Sequence, residues 1–216
     1  MPALTSPEIE NLAKAAMQSF KLRGENAPDL AAAVGQCGGQ ALTMFVSMAM
    51  VLPGIPAVAP PPAMSGSTVG PGNFMPPPAG GPGDGQIEPL ALAALSAHKI
   101  NGEYKPKLAK AIAQTVAQAI NLFTSTVKVA PGIAIAGGAT ASPGTLLGAA
   151  PPAPALKALA LGFLQAGGIR GENAPDLADA LADTLNKTLT QMMPRLMVTP
   201  GIPCSPGASA GPGRLV

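Results

Sequence analysis

The chain has no tryptophan, one tyrosine and one histidine, and only 11% of its residues are charged. Each shortage removes a class of function. A nucleic-acid-binding face needs clustered Lys and Arg, with rings where bases stack. Here the formal net charge is +2 and the aromatic share is 3%. The cations are scattered: Lys14, Lys21 and Arg23 near the start, then Lys99, Lys105, Lys107 and Lys110. The second group includes Glu103 and reads as a solvated helix junction, so no nucleic-acid partner is expected. The lone His98, without neighbouring cysteines or acids, cannot furnish a metal site. The two cysteines, Cys37 and Cys204, fit no ligand or redox spacing. They read as buried free thiols, with a cross-chain disulfide as the lesser alternative.

Catalytic signatures are missing as well. There is no phosphate-cradling Gly-x-x-x-x-Gly-Lys-Ser/Thr string, and no Gly-x-Ser-x-Gly elbow is expected. The stretch Gly80-Gly81-Pro82-Gly83-Asp84-Gly85 is Gly-rich, but it follows no strand pattern, opens no helix pattern, and reads as linker. No enzyme activity and no cofactor are expected. Met1 to Thr5 lack a basic stretch and an apolar run, so no secretory signal is expected. The most hydrophobic run, Ala41 to Ala59, is broken by Pro53, Gly54 and Pro56. Its counterparts downstream carry Lys128 and Arg195, so no membrane span is expected.

What the chain has in quantity is Gly and Pro, 26 of each, together with 47% hydrophobic residues. That mixture argues against a disordered chain. It also contains a repeat. The nine residues Arg23 to Ala31 recur unchanged as Arg170 to Ala178, and a weaker copy runs from Asn101 to Ala109. Around each copy, apolar residues fall at helical spacing on both sides. Ile9, Leu12, Ala16, Met17 and Phe20 precede the first copy; Leu30, Val34, Leu42 and Phe45 follow it. Ser6-Pro7-Glu8 reads as a helix start, with Ser6 as N-cap.

The unit is therefore a helical hairpin around a Gly-Glu-x-x-Pro corner. Its corner residues are Gly24, Glu25 and Pro28, then Gly102, Glu103 and Pro106, then Gly171, Glu172 and Pro175. The glycines are expected to end the first helix with positive φ. The prolines are expected to open the second helix, and the glutamates to accept its backbone N–H groups.

A second landmark lies 29 residues after each corner glycine: Pro53-Gly54-Ile55, Pro131-Gly132-Ile133 and Pro200-Gly201-Ile202. Pro-Gly suits the centre of a type II turn; such turns splay hairpins, so a bend between short strands is expected as much as a tight hairpin. Val127-Lys128-Val129 and Ile133-Ala134-Ile135 alternate like strands on either side of it. A third landmark closes each unit: Pro71-Gly72-Asn73-Phe74, Pro143-Gly144-Thr145-Leu146 and Pro212-Gly213-Arg214-Leu215.

One hairpin of this size cannot bury its apolar stripe alone. The expected fold is mainly α with short β segments. It comprises three tandem helical-hairpin units at residues 6–75, 87–147 and 155–216, with linkers at 76–86 and 148–154. Each hairpin is followed by a Pro/Gly-rich extended or short-strand tail. The corner glycines are 78 and then 69 residues apart (102 − 24 and 171 − 102). That irregular period favours a pseudo-threefold arrangement over a solenoid.

The Pro-Gly-Ile … Pro-Gly-x-Leu tails resemble the Pro/Gly-turn segments of phage tail and baseplate-type virion structural proteins, over about 20 residues of each unit. The resemblance implies a structural subunit of a phage virion, in the tail or baseplate region. It would be assembled in the host cytoplasm and placed among protein neighbours of threefold or sixfold symmetry. The partner-contact candidates are the three Pro-Gly-Ile tripeptides. One alternative is a capsid decoration or neck protein. Another is a membrane-acting or secreted effector, suggested by the mean hydropathy of +0.32 and the ten Met residues. Helices with so few Lys and Arg make weak interfacial anchors, which counts against the effector.

Overall fold

The computed structural model describes residues 4–216; residues 1–3, where the segment read as lacking a signal begins, lie outside the described residues. Among the described residues the chain is mainly helical, with six α-helices and a set of short strands. The helices are α1 (Ser6–Ser19), α2 (Ala27–Met48), α3 (Asp84–Ala97), α4 (Lys105–Thr126), α5 (Ala153–Ala166) and α6 (Ala174–Met192). They form three antiparallel hairpins, α1 with α2, α3 with α4 and α5 with α6. The hairpins join into a closed ring because α2 also packs on α3, α4 on α5, and α6 back on α1.

The longer second helix of each hairpin lines the interior. Leu42, Ile120 and Leu189 are buried there. One turn further, Phe45 and Phe123 meet edge to face with centroids 6.1 Å apart, and Met192 is fully buried at the corresponding place. Each such buried large side chain contributes about 1.5–3 kcal/mol. The helix α6 stops early because Pro194 cannot continue it. A short 3-10 turn, Met193–Arg195, follows, and Leu196 is already extended.

Below the helices lie two β layers. In the first, Val51, Val129 and Val198 are fully buried, and each is flanked by two third-landmark segments. Strand β1 (Met50–Val51) pairs with Gly213 of β10 (Gly213–Arg214) on one side and Phe74 on the other; Val129 of β4 (Lys128–Val129) pairs with Gly72 and with Leu146 of β7 (Leu146–Leu147); Val198 pairs with Gly144 and Leu215. The six segments close on themselves.

The second layer consists of three hairpins: β2 (Pro56–Val58) with β3 (Gly66–Thr68), β5 (Ala134–Ala136) with β6 (Ala139–Thr140), and β8 (Cys204–Ser205) with β9 (Gly207–Ser209). Their sheet order is β6-β5-β3-β2-β9-β8. An Ala139–Pro203 bridge joins its two edges, giving a small closed barrel. A barrel of so few strands has little internal room. Ala57, Ala59, Ile135 and Cys204 are the residues that fill it. Their strand neighbours Pro56, Val58, Ala134 and Ser205 face outward.

Several expectations are corrected here. The first helices end earlier than the corner glycines, at Ser19, Ala97 and Ala166, and the left-handed residue is Lys21 (φ 58), Lys99 (φ 57) or Gly168 (φ 75). Each lies three residues before its corner glycine. Leu22 N–H donates to Met17 O (2.9 Å), Ile100 N–H to Leu95 O (2.9 Å) and Ile169 N–H to Leu164 O (2.9 Å). These bonds satisfy helix-end carbonyls before the corner is reached. The N-cap of α1 is Thr5 rather than Ser6, because the Glu8 carboxylate reaches back to the Thr5 N–H at 2.8 Å. The Gly-rich stretch does open a helix: Gly83 caps α3, and its N–H donates to Gln86 Oε1 at 3.2 Å. The linkers read as 76–86 and 148–154 therefore end sooner, at Asp84 and Ala153, where α3 and α5 begin.

Candidate docking surface

The corners lie at the end of the helical ring away from the strands. Ala27 N–H donates to Gly24 O at 3.0 Å, Lys105 N–H to Gly102 O at 3.1 Å and Ala174 N–H to Gly171 O at 3.0 Å. Pro28, Pro106 and Pro175 follow in the first turn of α2, α4 and α6, as expected. The glycine expectation fails for Gly24 and Gly171, which do not have positive φ; Gly102 has φ 152. A Cβ added at any of the three would meet nothing within 4 Å. The glutamate expectation fails too. Glu25, Glu103 and Glu172 are exposed. Among the described residues their carboxylates cap no N–H of the second helices, whose N-caps lack side-chain bonds. The α2, α4 and α6 starts are set by the backbone turn and the proline.

The Pro-Gly-Ile landmarks lie where the two β layers meet. Gly54, Gly132 and Gly201 have φ of 96, 93 and 91, the left-handed conformation that the second central residue of a type II turn requires. Their prolines and glycines are exposed, whereas Ile55, Ile133 and Ile202 are buried. The isoleucines are thus turned away from solvent. Each packs on a third-landmark glycine of its own segment: a Cβ added to Gly72, Gly144 or Gly213 would come within 2.5–2.8 Å of the Ile Cδ1. Only a glycine admits the isoleucine at that distance.

Each turn is clasped by a hydroxyl residue from a different part of the chain. Ile133 N–H donates to Thr68 Oγ1 (2.9 Å) and Gly132 N–H to Thr68 O (2.7 Å). Ile202 N–H donates to Thr140 Oγ1 (2.9 Å) and Gly201 N–H to Thr140 O (2.7 Å). Ile55 N–H donates to Ser209 Oγ (2.9 Å) and Gly54 N–H to Ser209 O (2.8 Å). Thr68, Thr140 and Ser209 are all buried. Sequence reading missed them, although a signal was present: each stands four residues before Gly72, Gly144 or Gly213. The pentad Gly207-Ala208-Ser209-Ala210-Gly211 does have the Gly-x-Ser-x-Gly spacing, which the expectation of no such elbow overlooked. Ser209 ends a strand rather than topping a strand-to-helix turn, and its buried hydroxyl accepts N–H groups. Those are features of a structural clasp, not of an activated nucleophile.

The remaining polar groups are dispersed. Among the described residues, no group of three His, Cys, Asp or Glu could hold a metal ion. His98 closes α3, with Nε2 3.2 Å from Gln36 Oε1. Cys37 and Cys204 are buried and free. Burial pushes the Cys37 thiol up to about 12 and raises that of Cys204 as well. The Thr5 N–H, and next the Arg195 guanidinium at 2.9 Å, hold the Glu8 carboxyl down at about 2. That ion pair ties the start of α1 to the turn after α6. No described helix is long and apolar enough to cross a membrane.

The exposed large apolar side chains favour the strand end. Val58, Val69, Leu147, Met197 and Val216 belong to the β layers or their edges, each 41–57% exposed. No protein-family model, curated protein or solved structure matches this chain.

Proposed function

We propose that the chain is a structural subunit of a larger protein assembly, built as three copies of one module about a pseudo-threefold axis and seated on neighbours of threefold or sixfold symmetry. The observation that carries this reading is the direction of the clasps. Segment 6–75 clasps the turn of 87–147, which clasps the turn of 155–216, which clasps the first. A cycle with one sense is what a heterologous contact gives when its rotation closes. Such a ring offers three similar faces to a symmetric neighbour while remaining a single chain. In this reading the neighbour would sit on the exposed apolar residues of the β layers.

The tail resemblance points to the tail or baseplate region of a phage virion, assembled in the host cytoplasm, with capsid decoration and the neck as other positions. Sedimentation of the native protein separates assembly from the effector alternative. Co-sedimentation with other chains supports the assembly. Flotation of the purified chain with liposomes, and no heavier complex, would support a membrane-acting effector instead.

A further inference from the structure

The three seams between neighbouring hairpins carry different residues where the first helix ends. Residues 20, 98 and 167 each stand four before a corner glycine, at the ends of α1, α3 and α5. Two of them carry rings. Phe20 is half-buried and packs on the helical core, and His98 reaches across its seam to Gln36 on α2. The third is Gly167. On α4 the residue corresponding to Gln36 is Gln114, each twelve after its corner glycine. Gln114 has no ring before it. It lines a hollow of about 420 Å³ between α4 and α5, together with Lys107, Lys110, Phe163 and Gly167.

The plain structural account is that Phe163 has taken over the ring's place from one turn back, where Ala16 and Ala94 stand in the other first helices. Those alanines are buried, whereas Phe163 is only half-buried. The hollow persists beside it, so the exchange has not filled the seam. It also continues: a second hollow of about 330 Å³ shares Gln114 and Phe163 and runs past Gln118 and Asn121 to Asp84. The result is a groove along one face of α4, cationic at one end, amide-lined in the middle and acidic at the other. Lys107 is stationed at the cationic end, its Nζ 4.8 Å from the Tyr104 ring centroid.

We propose that this α4–α5 groove receives an extended segment of a partner protein, with an aromatic side chain in the gap at Gly167 and an acidic residue beside Lys107 and Lys110. The ring is inferred from the chain's own usage, since Phe20 and His98 occupy that position at the other two seams. The acidic residue is inferred from charge complementarity. The proposal rests on the assembly reading and names the chemistry of one neighbour.

The test titrates the full chain with the peptide acetyl-Glu-Phe-Glu-amide, followed by NMR shifts of the Gln114 side-chain amide and the Gly167 and Gly168 backbone amides. Acetyl-Glu-Ala-Glu-amide is the control. A short probe should bind with Kd of about 1 mM, and the alanine control at least about tenfold more weakly. Gly167→Phe supplies the ring internally. Residue 167 has φ −72 and ψ −3, and an added Cβ meets nothing closer than 3.4 Å. The variant should therefore fold and lose at least about tenfold in affinity. Equal binding of both peptides, unchanged binding by the folded variant, or no shift up to about 10 mM peptide would overturn the proposal. Full incorporation of Gly167→Phe into the native assembly would also sink the groove, while leaving the assembly reading intact. Peptide binding by a chain that stays a monomer would do the reverse.

Discussion

Replacing Thr68 by Val tests the clasp with little change of shape. Thr68 is 2% exposed and Ile133, whose N–H it accepts at 2.9 Å, is 4% exposed. Val keeps the volume and removes the acceptor. The Gly132 N–H keeps its bond to the Thr68 carbonyl, so one buried donor is orphaned, that of Ile133. An orphaned buried N–H costs about 1–3 kcal/mol. The added methyl returns at most about 0.8 kcal/mol. The net loss should be about 0.5–2 kcal/mol, or about 1–8 °C in Tm for a chain of this size. Thr140→Val orphans the Ile202 N–H and Ser209→Ala orphans the Ile55 N–H in the same way. All three losses should be similar, and Thr68→Val with Thr140→Val should lose about their sum. Urea denaturation followed by circular dichroism measures each. Losses below about 0.3 kcal/mol at all three sites, or a loss at only one, would refute the closed-clasp account.

Three further outcomes follow from the same geometry. Gly24→Ala should leave stability unchanged or raise it by up to about 1 kcal/mol, because its φ is not positive and its surroundings are open; Gly54→Ala, at φ 96, should cost about 1–2 kcal/mol. Thermal melts compare the two, and the opposite order contradicts the turn assignment. Thr188→Val should be neutral or stabilising by about 1 kcal/mol, since the Thr188 hydroxyl is buried without a partner; a clear loss of urea midpoint would show that the hydroxyl is satisfied after all. The Glu8 carboxyl is lowered from 4.5 to about 2 by the Thr5 N–H and Arg195. A depressed carboxyl stabilises the fold above its unfolded value and loses that contribution as pH falls through its folded one. Wild type should therefore exceed Glu8→Gln in denaturation midpoint at pH 7, with the gap closing between pH 4.5 and about 2; a gap that does not change with pH contradicts the assignment.

The helices were legible because the corner string occurs three times in the sequence, each time between apolar residues at helical spacing. Helical spacing around each corner located the helices, and Pro-Gly anticipated the positive φ of Gly54, Gly132 and Gly201. The corner glycines misled because a helix can end on Lys21 or Lys99 when an apolar residue, Leu22 or Ile100, follows to pack back on it. The helix-end hydrogen bond that this residue donates and its packing on the core offset the left-handed penalty, and no glycine marks the site. Ile55, Ile133 and Ile202 were partner-contact candidates as members of the Pro-Gly-Ile tripeptides, yet they are buried. They pack against Gly72, Gly144 and Gly213, which lie far enough along the chain that only the folded strands reveal the contact. Thr68, Thr140 and Ser209 were hidden for a similar reason, since each acts on a turn in a different segment. The α4–α5 groove is visible only as a break in a pattern, at Gly167, and required the hollow itself to give it meaning.

We propose that one chain supplies three equivalent faces to a symmetric neighbour. Native mass measurement of the smallest stable complex tests it most directly. One copy of this 21.3 kDa chain should be found with three or six copies of a neighbouring subunit. A lone monomer at working concentration, or a one-to-one complex, would contradict the account.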